Sequence, residues 1–310
     1  MPLPDHALVC LCARIERNGL IAAECDSLTG GIPDADGVAR CERVDGVDRA
    51  AFAQIGLEVI VGAPSFADLV AAVDRTDFSA DGFRIDVHDP SGRLGRSTQE
   101  VATALADVIP FGPDLSRPQN RFVVVGAGDA ILFTRVVSRT DASYRRHDAK
   151  PWTTSSSLDG RFARALVNLV PGARSIVDPC CGAGSIVLES ASLAVDTYGV
   201  DVKPAMVGMT RENLAHFGYV ATVVKADSRI RVPAADAVVT DLPYGHAIEA
   251  DETSIRAILE RGAESAAVGV YVAPADITVW LRSAGYSEIS VCSVRKRAGF
   301  TRWVHVARRA

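Results

Sequence analysis

The sequence predicts an α/β protein: a C-terminal half built on a mostly parallel sheet, preceded by an α+β half. Three observations predict this. After Pro171-Gly172 the chain runs strand, glycine-rich turn, helix, strand, helix, strand, an alternation that specifies parallel strands joined by helices on both faces. Four apolar runs in that half reach an acid, at Asp178, Asp201, Asp227 and Asp241. The N-terminal half instead breaks strand-like runs with single helices. A chain of 310 residues with 48% apolar composition can bury two cores of ordinary size, and the expected division is 1–145 and 146–310.

Taken in order, His6–Ile15 reads as a strand and Leu20–Leu28 as a helix stopped by Thr29-Gly30-Gly31. Ala35–Val44 is strand-like, Arg49–Ile55 short and helical, and Glu58–Gly62 a short strand. Ser65 is placed to cap an amphipathic helix over Phe66–Val73. Phe83–Val87 alternates as a strand, and Ser97–Val108 spaces Val101, Leu105 and Val108 as a helix does. Val123–Val125 and Ile131–Val137 pair as a hairpin across Gly126-Ala127-Gly128-Asp129. Tyr144 to Ser157 is polar, basic and carries Pro151, which predicts a linker or loop. Leu158–Leu169 then forms a helix with Phe162, Leu166 and Leu169 on one face.

Bulk properties narrow the function classes. The apolar runs stop far short of the ~20 residues that span a bilayer, and the N-terminus lacks the basic start and apolar stretch of a secretion signal. Seven cysteines, an odd number without zinc-type spacing, and six scattered histidines predict no metal and a reducing, cytoplasmic setting. The net charge of −5 is uneven: residues 1–150 hold 16 Lys/Arg against 22 Asp/Glu, residues 151–310 hold 17 against 16. Neither half is a general magnet for nucleic acid. Two local basic clusters stand out, Arg135, Arg139, Arg145, Arg146 and Lys150, and Arg295, Lys296 and Arg297. Each is read equally well as a solvated surface and as a phosphate contact.

The chemistry is written in four units. Ser175-Ile-Val-Asp178-Pro-Cys-Cys-Gly182-Ala-Gly184 is a strand running into a turn whose small residues let the backbone approach a ligand. A tight strand-to-helix turn needs glycine without any ligand, so this unit alone decides nothing. Tyr198-Gly-Val-Asp201 ends in an acid 23 residues after Asp178, the place from which ribose hydroxyls are held in nucleotide-binding α/β folds. A strand-terminal Asp capping the next helix is the competing explanation. Asp227-Ser228 follows a third apolar run, where an acid can meet an adenine edge and where an ordinary turn is also expected. Ala237-Val-Val-Thr-Asp241-Leu-Pro243-Tyr244-Gly245 sets an acid, a proline and an aromatic directly after a buried strand. Methyl transfer to a planar exocyclic amine needs an acceptor for its N–H and a face for the ring; Asp241 and Tyr244 supply these, and Pro243 stiffens the turn between them. A nicotinamide-dependent dehydrogenase shares the Gly-x-Gly turn but leaves Asp241 to Tyr244 unexplained. There is no Gly-x-Ser-x-Gly elbow and no phosphate loop ending in Gly-Lys-Ser/Thr.

On these residues, segment 176–245 resembles the amino-methyltransferases of the tRNA guanine-N2 class, which pair a THUMP-containing region with a catalytic domain. The hallmarks are an Asp-Pro-x-x-Gly-x-Gly turn, here Asp178 to Gly184, and an Asp-Pro-Pro-Tyr-Gly motif, here Asp241 to Gly245; Arg161–Val170 is similar to the helix before the first strand. The resemblance implies a Rossmann-like class I methyltransferase domain with a mostly parallel seven-stranded sheet behind an α+β THUMP-like domain. It implies S-adenosyl-L-methionine as cofactor, bound by Asp178, Cys180, Gly182, Gly184, Asp201, Asp227 and Ser228. Asp241, Pro243 and Tyr244 are then catalytic, holding the target base of tRNA or another structured RNA, with no membrane and no metal. An exocyclic amine paired in a helix must first be exposed, so base flipping is implied. Two departures are visible. Leu242 replaces the usual first proline, as in adenine dimethylases of ribosomal RNA, and residues 1–150 match the THUMP region only loosely, through Ala23-Glu24 and Ser27 to Gly31. Adenine-N6 or cytosine-N4 methylation of rRNA or DNA, a small-molecule amine acceptor, and a non-catalytic RNA-binding role are the alternatives.

Overall fold

The computed structural model describes residues 6–16, 18–76, 78–243, 251–297 and 299–310. By internal contacts the chain divides into one unit of residues 1–14, 28–48 and 53–141 and a second of 15–27, 49–52 and 142–310. Two short N-terminal segments are therefore folded into the C-terminal unit, an excursion that no local pattern in the sequence announces.

The first unit is a six-stranded sheet in the order β2-β1-β3-β6-β5-β4. Its strands are β1 (Leu8–Cys12), β2 (Val38–Cys41), β3 (Ala53–Ala63), β4 (Phe83–His88), β5 (Asn120–Ala127) and β6 (Ala130–Arg139). Helix α1 (Leu20–Thr29) falls between β1 and β2, and α2 (Phe66–Arg75) and α3 (Thr98–Ala106) flank β4. Among the described residues of this sheet, β4 and β5 are the strands that pair in parallel. Ser65 caps α2 through the N–H of Asp68, and Ser97 and Glu100 close a capping box on α3, each worth about 1 kcal/mol. Both helices bury an apolar stripe with Phe83, Phe122 and Phe133. Val123 and Val125, alternating with Phe122 and Val124, fill a second cluster with Val9, Leu57 and Leu132, so β5 is buried on both faces. The helix expected over Arg49–Ile55 is absent. A 3-10 turn spans Asp45–Arg49, and Ala53 already begins β3, an eleven-residue strand whose pairing with β1 and β6 overrides the local pattern.

The second unit is a seven-stranded sheet in the order β12-β13-β11-β10-β7-β8-β9. The strands are β7 (Ser175–Asp178), β8 (Asp196–Asp201), β9 (Thr222–Lys225), β10 (Ala237–Asp241), β11 (Val268–Ala273), β12 (Glu288–Arg297) and β13 (Phe300–Arg308). Strands β9, β8, β7, β10 and β11 are mutually parallel, while β13 runs antiparallel to β11 and β12 antiparallel to β13. The helices are α4 (Gly160–Asn168), α5 (Ser185–Ser192), α6 (Pro204–Phe217), α7 (Glu252–Ser265) and α8 (Thr278–Ser283). Val187 and Leu188 of α5 and Val207 and Leu214 of α6 join Val223 in one apolar cluster. Ile258 and Leu259 of α7 and Leu281 of α8 join Val177, Val200, Val238 and Tyr271 in another. Near-continuous apolar strands are what a sheet covered on both faces requires. Among the described residues no helix is long and apolar enough to cross a membrane.

The linker expected over Tyr144 to Ser157 is instead ordered against the second unit. Ser143–Ala149 forms a 3-10 turn, and Tyr144, His147 and Lys150 are buried. The polar composition misleads here because Tyr144, His147 and Lys150 turn inward while Arg145, Arg146 and Asp148 stay exposed. His147 Nδ1 meets Glu189 Oε1 at 2.6 Å, and Arg164 Nε donates to Glu189 Oε2 at 2.9 Å, all three residues being at most 1% exposed. The excursion from the N-terminal half joins this interior. Glu24 accepts from the N–H groups of Ala51 and Phe52 and from Asn168 Nδ2, and Gly19 N–H donates to Ser293 O on the outer edge of β12.

Candidate active site

Three acids end three neighbouring parallel strands: Asp178 on β7, Asp201 on β8 and Asp241 on β10. The carboxyl ends of parallel strands are where open α/β sheets bind ligands, because the helices that follow leave a crevice there.

Asp178 is 2% exposed and sits deepest. Its Oδ1 accepts from Thr240 Oγ1 at 2.7 Å and from Cys180 N–H at 3.0 Å. Burial drives its carboxyl up to about 7 against the pull of those hydrogen bonds, and the charges of Asp241 and Asp201 push the same way. Cys180 is half-buried and Cys181 buried. Burial lifts both thiols, with Asp178 and Asp201 adding, so neither is a ready thiolate at neutral pH.

The turn between β7 and α5 has both glycines at positive φ, +54° for Gly182 and +81° for Gly184. A Cβ on Gly182 meets nothing within 4 Å, while one on Gly184 lands 2.5 Å from Thr210 Cγ2. Gly182 thus opens the turn, and Gly184 lets α6 press close to it. Asp201 fixes the turn from the neighbouring strand: its Oδ2 accepts from Gly182 N–H at 2.9 Å and its Oδ1 from Lys203 N–H at 2.8 Å. A local bond to the residue that precedes α6 and a turn-holding bond are both made by this one carboxylate.

Asp227 lies two residues past the end of β9. It makes a two-pronged ion pair with Arg229, which holds its carboxyl below the usual range. Ser228 is buried and its hydroxyl donates to Pro179 O at 2.6 Å, so this side chain ties the loop after β9 to the glycine turn. Asp241 ends β10 half-buried, Leu242 donates its N–H to Val272 O at 3.0 Å and buries its side chain, and Pro243 follows. Tyr244 lies outside the described residues.

The structure adds residues that no local pattern flagged. Thr240, one residue before Asp241, links β10 to Asp178. Thr210 donates to Gly182 O at 2.7 Å. Asn213 accepts from Trp152 N–H and donates to Trp152 O and Ala183 O, so the segment before α4 is latched to the turn. All three are polar residues inside otherwise apolar strand or helix faces. That was a usable signal for buried partners, though not for which partners.

Residues 146–267 match the family described as UPF0020: RMKL-like, methyltransferase domain. The tRNA (guanine(10)-N2)-dimethyltransferase of Methanothermobacter thermautotrophicus is 30% identical over 209 residues, covering 64% of this chain and 62% of that protein. The protein of the same description from Pyrococcus abyssi is 34% identical over 107 residues, 33% of this chain and 32% of its own length. The chain thus matches less than two thirds of the length of these relatives. TrmN from Thermus thermophilus superimposes with a TM-score of 0.54 at 19% identity, over 98% of this chain and 100% of that one, a likeness of fold.

Proposed function

We propose, from the match of residues 146–267 to the UPF0020, RMKL-like methyltransferase domain, that this protein methylates an exocyclic amine of a tRNA base, N2 of guanine, using S-adenosyl-L-methionine. One observation carries the reading: Asp178, Asp201 and Asp241 converge at the carboxyl ends of three adjacent parallel strands beside an open glycine turn. A cluster in which Asp201 and Asp241 raise the proton affinity of Asp178 suits a ligand carrying positive charge and hydroxyls. A sulfonium nucleoside has both, and when bound it supplies an activated methyl group.

The chain's own residues have the following work. Asp201 accepts from ribose hydroxyls while its existing bonds to Gly182 and Lys203 hold it in place. Gly182 leaves room beside the turn for the amino-acid end of the cofactor. Asp227 faces the adenine edge, with Arg229 fixing its carboxylate, and Cys180 lines the pocket floor. Ser228 acts through the loop it tethers. Asp241 and the carbonyl of Leu242 accept the N–H bonds of the target amine and so aim its lone pair at the methyl carbon. Pro243 stiffens that turn, and Tyr244 offers a ring face on which the base, turned out of its stack, is held.

The N-terminal unit, read as THUMP-like, is proposed to engage the RNA by shape more than by charge. The relatives named for N2 of guanosine in tRNA support guanine as the target. Leu242, where that class carries proline, makes adenine N6 the second reading.

Asp241→Ala tests the assignment of roles. With wild type active on tRNA, the variant is expected to lose at least about 100-fold in kcat while its Kd for S-adenosylmethionine stays within about threefold. A parallel loss of cofactor affinity would move Asp241 from the base to the cofactor.

A further inference from the structure

The β12–β13 hairpin carries a feature that the reaction does not use. Between Ile289 and Ala310 the chain has six Lys/Arg and no Asp or Glu, in a protein of net charge −5. Three of the six, Arg295, Lys296 and Arg297, are consecutive and exposed. Adjacent like charges repel and are not needed to form a hairpin, and three of them together suit an anionic partner.

The sheet register fixes where that cluster stands. Asp241 is level with Val272 on β11, and Val272 with Val304 on β13. Arg302 is two residues beyond that level, opposite Val294, and Arg295 lies opposite Thr301. At ~3.3 Å per residue the hairpin tip rises roughly 7–13 Å past the strand ends. It does so on the same edge as Asp178, Asp201 and Asp241.

Side-chain contacts agree with the register. The Arg302 guanidinium lies 5.1 Å from the ring centroid of Phe162, at the start of α4, and is 4% exposed. Asp159 caps that helix through Phe162 N–H. Partial burial, then the guanidinium of Arg302, holds the Lys296 ammonium below its ordinary range, while Asp241 and Asp159 oppose them. Lys296 is therefore within electrostatic reach of Asp241. On the far side, Asn18 bridges to Val294 and Gly19 donates to Ser293 O, so the N-terminal excursion braces β12 just below its tip.

We propose that Arg295, Lys296 and Arg297, backed by Arg302, form a phosphate clamp that holds the RNA backbone against the catalytic edge while the target base reaches Asp241. This rests on the reading of RNA as substrate. An RNA backbone is the partner of choice because three adjacent exposed cations stand at the tip, at the one edge where the acceptor must arrive. The base is selected elsewhere; the clamp supplies affinity, register and salt sensitivity.

The test is equilibrium binding of unmodified tRNA across a salt series, with labelled-methyl transfer measured in parallel. It compares wild type, R295Q/K296Q/R297Q, and R174Q/R308Q/R309Q, which removes three exposed basic residues from the opposite edge. Thermal melts confirm that all three are folded. The tip variant is expected to bind tRNA at least tenfold more weakly and to lower the slope of log K against log salt by about 2. The opposite-edge variant is expected to stay within about threefold of wild type. Equal losses in both variants, unchanged binding by the tip variant, or no tRNA binding by wild type would each overturn the clamp. Tip-dependent tRNA binding without methyl transfer would instead uphold the clamp and fault the proposed reaction.

Discussion

Asp178 is a buried carboxyl at the end of β7, and the effect of that burial is measurable without any substrate. Its carboxyl is raised from 3.8 to about 7 by burial first, with Asp241 and Asp201 contributing. From about pH 4 to pH 7 the folded protein keeps a proton that the unfolded chain has released, so this residue's contribution to stability falls as pH rises through that window. The loss approaches roughly 4 kcal/mol above pH 7. Asp178→Asn keeps an acceptor for Thr240 and Cys180 without the charge. Urea unfolding at about pH 5 and about pH 8 is expected to show the variant gaining on wild type at the higher pH, and a pH-independent difference would contradict the assignment. The glycine turn makes a second prediction. Gly184→Ala forces a Cβ into Thr210 at φ +81°, whereas Gly182→Ala at φ +54° meets open space. The first is expected to cost about 2–4 kcal/mol and the second about 1, read from urea midpoints. Equal costs would mean that close packing against α6 is not what Gly184 serves.

At the scale of elements, α4, α5 and the 3-10 turn before them are held by one buried carboxylate. Glu189 on α5 takes His147 on one oxygen and Arg164 on the other, and Arg164 also reaches Ser192 Oγ, Ser143 Oγ and Arg49 O. Removing one partner leaves the other charge buried. Arg164→Met is therefore expected to destabilise by roughly 3–5 kcal/mol, measured by denaturant melts; a change under about 1 kcal/mol would show that the network is not a structural keystone. These connections explain what sequence reading misses here. The strand ending at Asp178, the helix capped by Ser65 and the hairpin of β5 and β6 follow from local periodicity and turn chemistry. Arg164 and Glu189 sit in apolar helix faces as single charges, and Arg146, His147 and Lys150 read as a basic linker. Their partners are 25 and 42 residues apart for the Arg164 and His147 bonds to Glu189, and no local rule reports such pairings.

For the whole molecule, the order of elements in the second half is legible because each strand-turn-helix unit is a local statement, and the right-handed crossover rule does the rest. The acids at the strand ends are legible for the same reason. The division of the chain is not: residues 15–27 and 49–52 belong with the C-terminal unit, through bonds such as Glu24 to Asn168 that span 144 positions. A fragment starting near residue 142 lacks Glu24 and Arg49, which meet Asn168 and Arg164, and the Asn18–Gly19 stretch that pairs with β12. The measurement that bears most directly on the central claim is nucleoside analysis of bulk unmodified tRNA after incubation of the full chain with S-adenosylmethionine. N2-methylated guanosine is expected as the new nucleoside, absent with Asp241→Ala. N6-methyladenosine in its place, or no transfer to tRNA by a protein that binds the cofactor, would contradict it.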